Sequence, residues 1–292
     1  MDVMILDFLE YIKNQKKASQ NTLDSYKRDI LKFKDYLKEE RLTLQTLKSE
    51  DLEVFLDCLE QDGLSLSTIS RIYSSLRSYF DFLFYEGKLS QNPMKFMKKP
   101  KAKPNTSEIL TLEEVESILA GPKGNEPREL RDKAILETLY GTGLKISELS
   151  KLEINDVNLN MEFINCSGSR RRVIPITQKI IDSLKKYILE ARPKILSGKE
   201  NNILFLNLKG EALTRQGLWK IITGYGGLLE SDKNITPTII RKSFASHMIQ
   251  NGVDLKTVSN LLGNIGTIEG VTKEVTSVLL REEIQKKHPR LK

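Results

Sequence analysis

The stretch ITPTIIRKSFASHMIQNGVDLKTVSNLLGN, residues 235–264, decides how the second half of the chain folds. Pro237 suits a helix entry, because a proline in the first turn loses no hydrogen bond that it could have made. Apolar residues then recur at helical spacing until Gly252, and Asp254 is placed to start a second helix. The stretch predicts two consecutive helices, with Arg241 in the middle of the first.

Composition and charge place the chain among ordinary globular proteins with a basic surface. It has 292 residues, of which 39% are hydrophobic and 29% are charged, and this length suits two domains that each bury a core. The net charge is +7 and the isoelectric point is about 9.1. This excess of positive charge favours a polyanionic partner such as nucleic acid.

Several classes of protein are disfavoured by what the sequence lacks. Cys58 and Cys166 stand far apart without metal-ligand spacing, which predicts a reduced, cytoplasmic protein. His247 and His288 are the only histidines, so we predict no metal site and no cofactor. The first 17 residues carry acids within an apolar run, which indicates an amphipathic helix and not a signal peptide. No run of about 18 apolar residues predicts a membrane span.

The N-terminal part reads as helical throughout. Residues 2–90 form four apolar runs at spacings of three and four, separated by Ser49, by Ser65 or Ser67, and by glycine or asparagine signals. No strand-like alternation occurs among them. Lysines and prolines crowd the next segment, KFMKKPKAKP, so we predict an extended basic linker. The predicted boundaries are an all-helical domain at 1–94, a linker at 95–106 and a second domain at 107–292.

The second domain mixes helices with a small amount of strand. It opens with a capping box that begins at Thr111. Alternation around residues 163–175 predicts an antiparallel hairpin with a cationic tip from Ser167 to Arg172. The remaining predictions are helices at 129–140, 145–148, 178–191 and 214–222, a short strand at 203–206, and a flexible glycine patch at 224–227. The fold class is mainly α, with an α+β second domain that holds a small antiparallel sheet.

Six short stretches, spread over nearly the full length, carry a family resemblance. They are NTLDSYKRD at 21–29, LTLEEV at 110–115, YGTGLKISEL at 140–149, LTRQGLWKII at 213–222, IRKSFASH at 240–247 and HPR at 288–290. In this order they resemble the tyrosine recombinases, specifically the Xer type that resolves chromosome dimers. The resemblance implies a helical core-binding (SAM-like) domain, a tyrosine-recombinase catalytic domain, and double-stranded DNA as partner.

The resemblance also implies a catalytic set. In the family, a tyrosine attacks a DNA phosphate and forms a 3′-phosphotyrosyl link. Two arginines and a histidine stabilise the charged phosphorane, and a hairpin lysine protonates the leaving 5′-oxygen. Each group answers a chemical need, namely an in-line nucleophile, a positive clamp where charge develops, and a proton donor.

Most of these catalytic positions are altered in this chain. The first arginine is replaced by Lys145, which keeps the charge but cannot grip two phosphate oxygens with a planar fork. Ser167 occupies the position of the hairpin lysine, and Thr238 occupies that of the first histidine. Asn264 occupies the position of the second histidine. Arg241, in the position of the second arginine, is retained.

The tyrosine nucleophile is absent from its expected place. Counting forward from Asn264 puts Lys273 there, and counting back from the HPR motif puts Thr272 there. No tyrosine follows Tyr225, which precedes Arg241 in a glycine-rich patch. The sequence therefore predicts a DNA-binding homologue that no longer cleaves DNA. One alternative hypothesis is an active recombinase with a relocated nucleophile. Another is a protein-interaction module that has also lost DNA binding.

DNA binding is expected to survive, because phosphate contacts need only positive charge spread along a groove. We predict that His247 packs and hydrogen-bonds within the domain, and that the side chains of Trp219, Phe80 and Phe84 are buried in the core. The tail from Val275 is read as an amphipathic helix that docks on its own domain or joins a homo-oligomer or a hetero-oligomer with an active recombinase. The predicted DNA-binding residues are Lys27, Arg28, Lys98, Lys99, Lys101, Lys145, Arg170, Arg171, Arg172, Arg241 and Lys242.

Overall fold

The chain forms two separate compact units. The first runs from Met1 to Thr106 and the second from Ser107 to Lys292. The structure is a computed structural model, and it describes residues 3–100, 109–167, 171–227, 229, 233, 235–263 and 284–285.

The first unit is a four-helix assembly, as predicted. Aromatic side chains fill its core, with Phe8, Phe33 and Phe80 fully buried. Serine hydroxyls start two of the helices, since Ser19 and Ser65 each accept a hydrogen bond from the backbone N–H three residues later. The helices are α1 (Val3–Gln15), α2 (Gln20–Glu39), α3 (Ser49–Gln61) and α4 (Leu66–Tyr85).

The packed part of the first unit extends beyond residue 94, where the predicted domain ends. Met94 and Met97 are both buried in the core of this unit. The Tyr73 hydroxyl donates to the Met97 carbonyl at 2.5 Å. The start of the predicted linker is thus fixed on the helices, because apolar side chains recur among its lysines.

One prediction of a buried side chain in the first unit was wrong. Phe84, at the end of α4, is substantially exposed. It lies one position away from Leu83, a residue of the buried stripe. Helical spacing alone does not resolve which of two adjacent apolar residues faces the core.

The second unit is built around one deeply buried helix, α6 (Pro127–Thr142), whose last twelve residues except Lys133 are all buried. The helix ends at Gly143, which adopts a left-handed conformation with φ of 60°. A Cβ atom there would lie 2.5 Å from the Phe244 ring, so only glycine fits. The neighbouring short helices are α5 (Leu112–Leu119) and α7 (Ile146–Leu149).

A three-stranded antiparallel sheet follows, in agreement with the predicted hairpin. Its strands are β1 (Val157–Asn158), β2 (Phe163–Cys166) and β3 (Arg172–Pro175), in that order across the sheet. The register pairs Cys166 with Arg172 next to the hairpin tip. This register determines where the side chain of Arg172 can reach.

The long helix predicted over residues 178–191 is interrupted by a π-helical turn at Tyr187–Ala191, between α8 (Gln178–Lys186) and α9 (Arg192–Leu196). Such a turn aligns side chains five positions apart. Tyr187 and Arg192 accordingly both donate to the Leu204 carbonyl. Residues 203–206 form only isolated bridges, so the strand predicted there was wrong.

The last three helices described are α10 (Arg215–Gly226), α11 (Pro237–Gln250) and α12 (Leu255–Leu262). The two helices predicted within residues 235–264 are confirmed, including the Asp254 cap of α12. The flexible patch predicted at 224–227 is mostly helical. Gly226 is buried there because its missing Cβ lets Ile235 approach.

Candidate nucleic-acid interface

Arg241 lies near the centre of the second unit's candidate site, held from three sides. Its guanidinium donates to the carbonyl of Gly143 and, at 2.6 Å, to that of Leu262. One of its nitrogens is 4.0 Å from the Glu148 carboxylate. The side chain is 13% exposed. Arg241 therefore connects the ends of α6 and α12 and presents only a small part of its surface.

Glu148 on α7 is the negative centre of the same cluster. Its two carboxylate oxygens each accept a hydrogen bond at 2.9 Å from the Arg172 guanidinium. The Lys145 backbone N–H adds a third at 2.8 Å. Burial alone would raise the pKa of Glu148, but these donors and the charge of Arg241 hold it below its usual value. The carboxylate is therefore ionised at neutral pH and shared between two arginines.

Arg172 faces the protein interior, in contrast to the solvent-facing role expected from the sequence. Its Nε donates to the Leu261 carbonyl at 2.6 Å, and its side chain is 10% exposed. Gly263 makes room for it, because a Cβ atom at that position would lie 2.9 Å from the guanidinium. The physical reason is Glu148, a partly buried carboxylate that binds a planar guanidinium in a bidentate manner. Arg172 thus joins β3 to the end of α12.

The altered catalytic positions fall around this cluster. Lys145 begins α7 with a half-buried side chain, and its ammonium group makes no hydrogen bond or ion pair with any residue that the structure describes. Thr238 is exposed in the first turn of α11, one turn before Arg241. Ser167 is exposed and donates to Asp156 at 3.1 Å. Asn264, Thr272 and Lys273 lie outside the described residues.

The other predicted DNA-binding cations divide between the two units. In the second unit, Arg171 and Lys242 are exposed, whereas Arg170 lies outside the described residues. In the first unit, Arg28 is exposed on α2 and Lys27 is half-buried. Lys98 and Lys99 are exposed, and Lys101 lies outside the described residues.

The sequence reasoning missed an exposed polar face on α10. Trp219, predicted to be core, is 46% exposed. Arg215, Gln216 and Lys220 are exposed on the same helix. The sequence signal was the helical spacing of Leu218 and Ile222, which are both buried. This pair defines the apolar stripe of α10, and Trp219 lies beside that stripe and not within it. An exposed tryptophan between cations is suited to a polyanion with apolar surface.

His247 on α11 has the packing role predicted for it. It is 4% exposed, and its Nε2 lies 2.9 Å from the Leu110 carbonyl. A carbonyl only accepts, so Nε2 carries the proton and Nδ1 accepts from the Tyr140 hydroxyl at 3.0 Å. Ser243, one turn earlier, accepts from the Leu110 N–H at 2.9 Å. One turn of α11 therefore holds both backbone groups of Leu110.

The burial of His247 predicts a loss of stability at acid pH. Burial lowers the pKa of His247, whereas the unfolded chain has the ordinary value of about 6.5. As the pH falls through that value, the unfolded state takes up a proton that the folded state refuses, so the free energy of unfolding decreases. His247→Gln, which retains an amide donor for Leu110, is expected to remove this part of the decrease. Urea unfolding at pH 7.5 and 5.5 measures the free energy of unfolding at each pH. An equal decrease between the two pH values for the wild type and for His247→Gln would contradict the assignment.

Tyr225, the last tyrosine of the chain, has a structural role on α10. Its hydroxyl donates to Asp132 at 3.2 Å, and burial together with that carboxylate raises its pKa to about 12. Its ring packs against Gly121, where a Cβ atom would lie 2.6 Å away. A partly buried phenol that donates to a carboxylate is poorly suited to attack a phosphate.

No group of three or more His, Cys, Asp and Glu side chains in the described part of the chain is arranged to hold a metal ion. Within the same residues, every helix is too short or too polar to cross a membrane.

The helical first unit and the second unit, with its cluster of Arg241, Arg172 and Glu148, are typical of one class of protein. The chain belongs to the phage integrase family: the family model matches residues 108–265, and the model of the phage integrase N-terminal SAM-like domain matches residues 5–87. Within that family it is Xer-like. It is 38% identical over 297 residues to tyrosine recombinase XerD of Listeria innocua, with 99% of this chain and all of the relative covered. It is 39% identical over 302 residues to XerD of Oceanobacillus iheyensis, with 99% of each covered.

Solved structures show the same fold at lower identity. The Tn1549 transposon integrase in complex with transposon right end DNA has a TM-score of 0.71 and 18% identity, over 96% of this chain and 99% of that one. XerH site-specific recombinase bound to its palindromic difH substrate has a TM-score of 0.68 and 22% identity, over 98% of this chain and 82% of that one. The fold is therefore that of DNA-binding recombinases.

Proposed function

We propose that this chain is a DNA-binding Xer-like protein that does not cleave DNA. It acts as an architectural or regulatory protein, or as the partner of an active recombinase. The observation that carries the proposal is the state of the site. Arg241 is the one retained member of the catalytic set, and it is engaged by backbone carbonyls and by the carboxylate that Arg172 also binds.

The chemistry of strand cleavage needs groups that this site does not supply. Ser167 stands where the family has a proton-donating lysine, and Thr238 stands where it has a histidine. General acid–base groups contribute on the order of 10²–10⁴-fold each. Loss of the tyrosine removes the covalent intermediate itself, because a water molecule cannot form the same protein–DNA link.

Two other nucleophiles of the second unit are poorly activated. Burial raises the pKa of the Cys166 thiol to about 11 despite the nearby Arg172, so it stays protonated at neutral pH. The pKa of Tyr225 is raised to about 12. These values disfavour a relocated nucleophile among the described residues.

DNA binding rests on residues that cleavage does not require. Arg171 and Lys242 are exposed in the second unit, and Arg28, Lys98 and Lys99 are exposed in the first. The face of α10 adds Arg215, Gln216, Trp219 and Lys220. We do not assign Arg172 to this set, because its guanidinium is bound to Glu148.

A covalent-trapping assay tests the loss of cleavage. Nicked suicide DNA is incubated with the chain, and with XerD of Listeria innocua as the active control, and resolved on a denaturing gel. We expect an adduct for the control only. An adduct with this chain would overturn the proposal in favour of an active recombinase, and Tyr225→Phe, Thr272→Ala and Lys273→Ala would then locate the nucleophile.

Selection of bound sequences from random duplex DNA, followed by gel shifts over a range of salt, tests DNA binding. Affinity is expected to fall steeply with salt, and Arg171→Ala is expected to reduce the slope of log affinity against log salt by about 1. Lys38→Ala is the matched control, because Lys38 lies beside Asp35 at 3.7 Å and outside the proposed interface. Absence of binding at low salt would favour an interaction module instead.

A further inference from the structure

Phe96 is an aromatic side chain of the first unit that lies almost wholly in solvent. It is 86% exposed, more than any other exposed large hydrophobic side chain in the described part of the chain. A single exposed apolar side chain is common on protein surfaces, so exposure alone does not indicate a partner. The case for one rests on how the ring is held and on the charges beside it. The nature of that partner is indicated by what surrounds the ring.

The backbone on both sides of Phe96 is fixed to the first unit. Met94 and Met97 are buried, so the side chains on either side of the ring are anchored in the core. The Tyr73 hydroxyl on α4 donates to the Met97 carbonyl at 2.5 Å, and the Ser49 hydroxyl on α3 donates to the Pro93 carbonyl at 2.7 Å. Phe96 is therefore presented on a fixed support and not on a free linker.

Asn92 stabilises the turn that begins this support. Its side-chain oxygen accepts from the Met94 N–H at 2.9 Å, and its amide donates to Asp81 on α4 at 2.8 Å. The Lys95 N–H donates to the Asn92 carbonyl at 3.1 Å. The bond from the Asn92 amide also gives one oxygen of the Asp81 carboxylate a partner, at a point where a negative group lies next to the turn.

The surroundings of the ring are cationic. The Lys95 ammonium lies 5.3 Å from the Phe96 ring centroid, and Lys98 and Lys99 are exposed just beyond it. Arg77 on α4 donates to the Tyr73 hydroxyl at 3.2 Å. The segment 88–100 contains four lysines and no acid. An apolar ring between positive charges matches a surface on which phosphates border an apolar groove.

We propose that Phe96 contacts duplex DNA directly, with its ring in the minor groove against sugars or a base step and with the neighbouring lysines on the flanking phosphates. Apolar side chains inserted in this way are a known means of holding and bending a duplex. The inference rests on the proposed DNA binding and adds a contact that charge alone does not provide. We assign DNA and not an acidic protein as the partner, because hydrogen bonds fix the support and the exposed side chains beside the ring, Lys95, Lys98 and Lys99, are cationic.

Gel shifts on the selected duplex separate this contact from electrostatics. Phe96→Ala is expected to weaken binding on the order of tenfold without changing the salt slope, because no phosphate contact is lost. Lys98→Ala/Lys99→Ala is expected to reduce the slope. Phe84→Ala is the matched control, an exposed phenylalanine of the same unit, and is expected to bind as the wild type does. Wild-type affinity for Phe96→Ala would overturn the inference, whereas absence of binding by the wild type would instead overturn the proposed function.

Fluorescence of Phe96→Trp tests what covers the ring. The chain has one other tryptophan, Trp219, so the difference in emission from the wild type reports on the new side chain. We expect a solvent-exposed emission that is unchanged by protein concentration and quenched on adding duplex. Emission shifted to the blue without DNA would show that protein covers the ring, either the second unit or another copy, and would overturn the inference.

Discussion

Replacing Glu148 by alanine is expected to lower the free energy of unfolding of the second unit by about 3–5 kcal/mol. The carboxylate is 16% exposed and binds Arg172 in a bidentate manner, with Arg241 4.0 Å away. Its removal deprives both guanidinium groups of the carboxylate that they share. Urea unfolding followed by the fluorescence of Trp219, which lies in the second unit, measures the effect.

Two further variants make the Glu148 result specific. Glu148→Gln keeps the shape and one acceptor and is expected to lose less stability. Glu200→Ala, an exposed carboxylate, is expected to change stability by no more than about 0.5 kcal/mol. Because the pKa of Glu148 is held low, its contribution is present above the ordinary carboxyl range and is lost as the pH falls below it. Equal stabilities of the alanine variants at positions 148 and 200 would show that the cluster contributes little.

Asp132→Ala, near the start of α6 in the second unit, is expected to have an effect of similar size. Asp132 is fully buried and accepts from Arg131 at 2.9 and 2.7 Å, with Tyr225 donating to its second oxygen. Arg131 is itself buried, so the alanine variant leaves an uncompensated charge in the core. We expect a loss of about 3–5 kcal/mol, measured by the same unfolding experiment.

Tyr225→Phe tests the hydrogen bond of the phenol separately from the ion pair between Arg131 and Asp132. This variant removes one hydrogen bond, and a loss of about 1 kcal/mol is expected. Asp182→Ala is the control, because Asp182 is exposed on α8 and accepts only from Gln178 of the same helix among the described residues. A loss for Tyr225→Phe as large as that for Asp132→Ala would contradict the packing role assigned to the phenol.

Much of the fold was predictable because helix ends are encoded locally. Ser65, Thr111 and Asp254 each cap a helix through a side-chain oxygen, and all three can be read from neighbouring residues. The strand predicted at 203–206 fails for the opposite reason. The side chains of Tyr187 and Arg192 donate to the Leu204 carbonyl, which a strand would pair with another strand. Partners this far away along the chain leave no signal in the local sequence.

The candidate site was predictable in its residues but not in their orientation. The sequence placed Arg172 at a basic hairpin tip, which is correct by position. Its inward orientation depends on Glu148 lying across from it and on Gly263 lacking a Cβ atom. Those are tertiary facts, because the residues are separated by 24 and 91 positions along the chain.

The bonds that hold Arg241 have a consequence for how such a chain can evolve. Its guanidinium joins the carbonyls of Gly143 and Leu262, so selection for folding alone is enough to keep an arginine there. Thr238 and Ser167 face solvent, so substitutions at these positions leave the contacts of Arg241 unchanged. An arginine at position 241 is therefore not by itself a sign of cleavage activity.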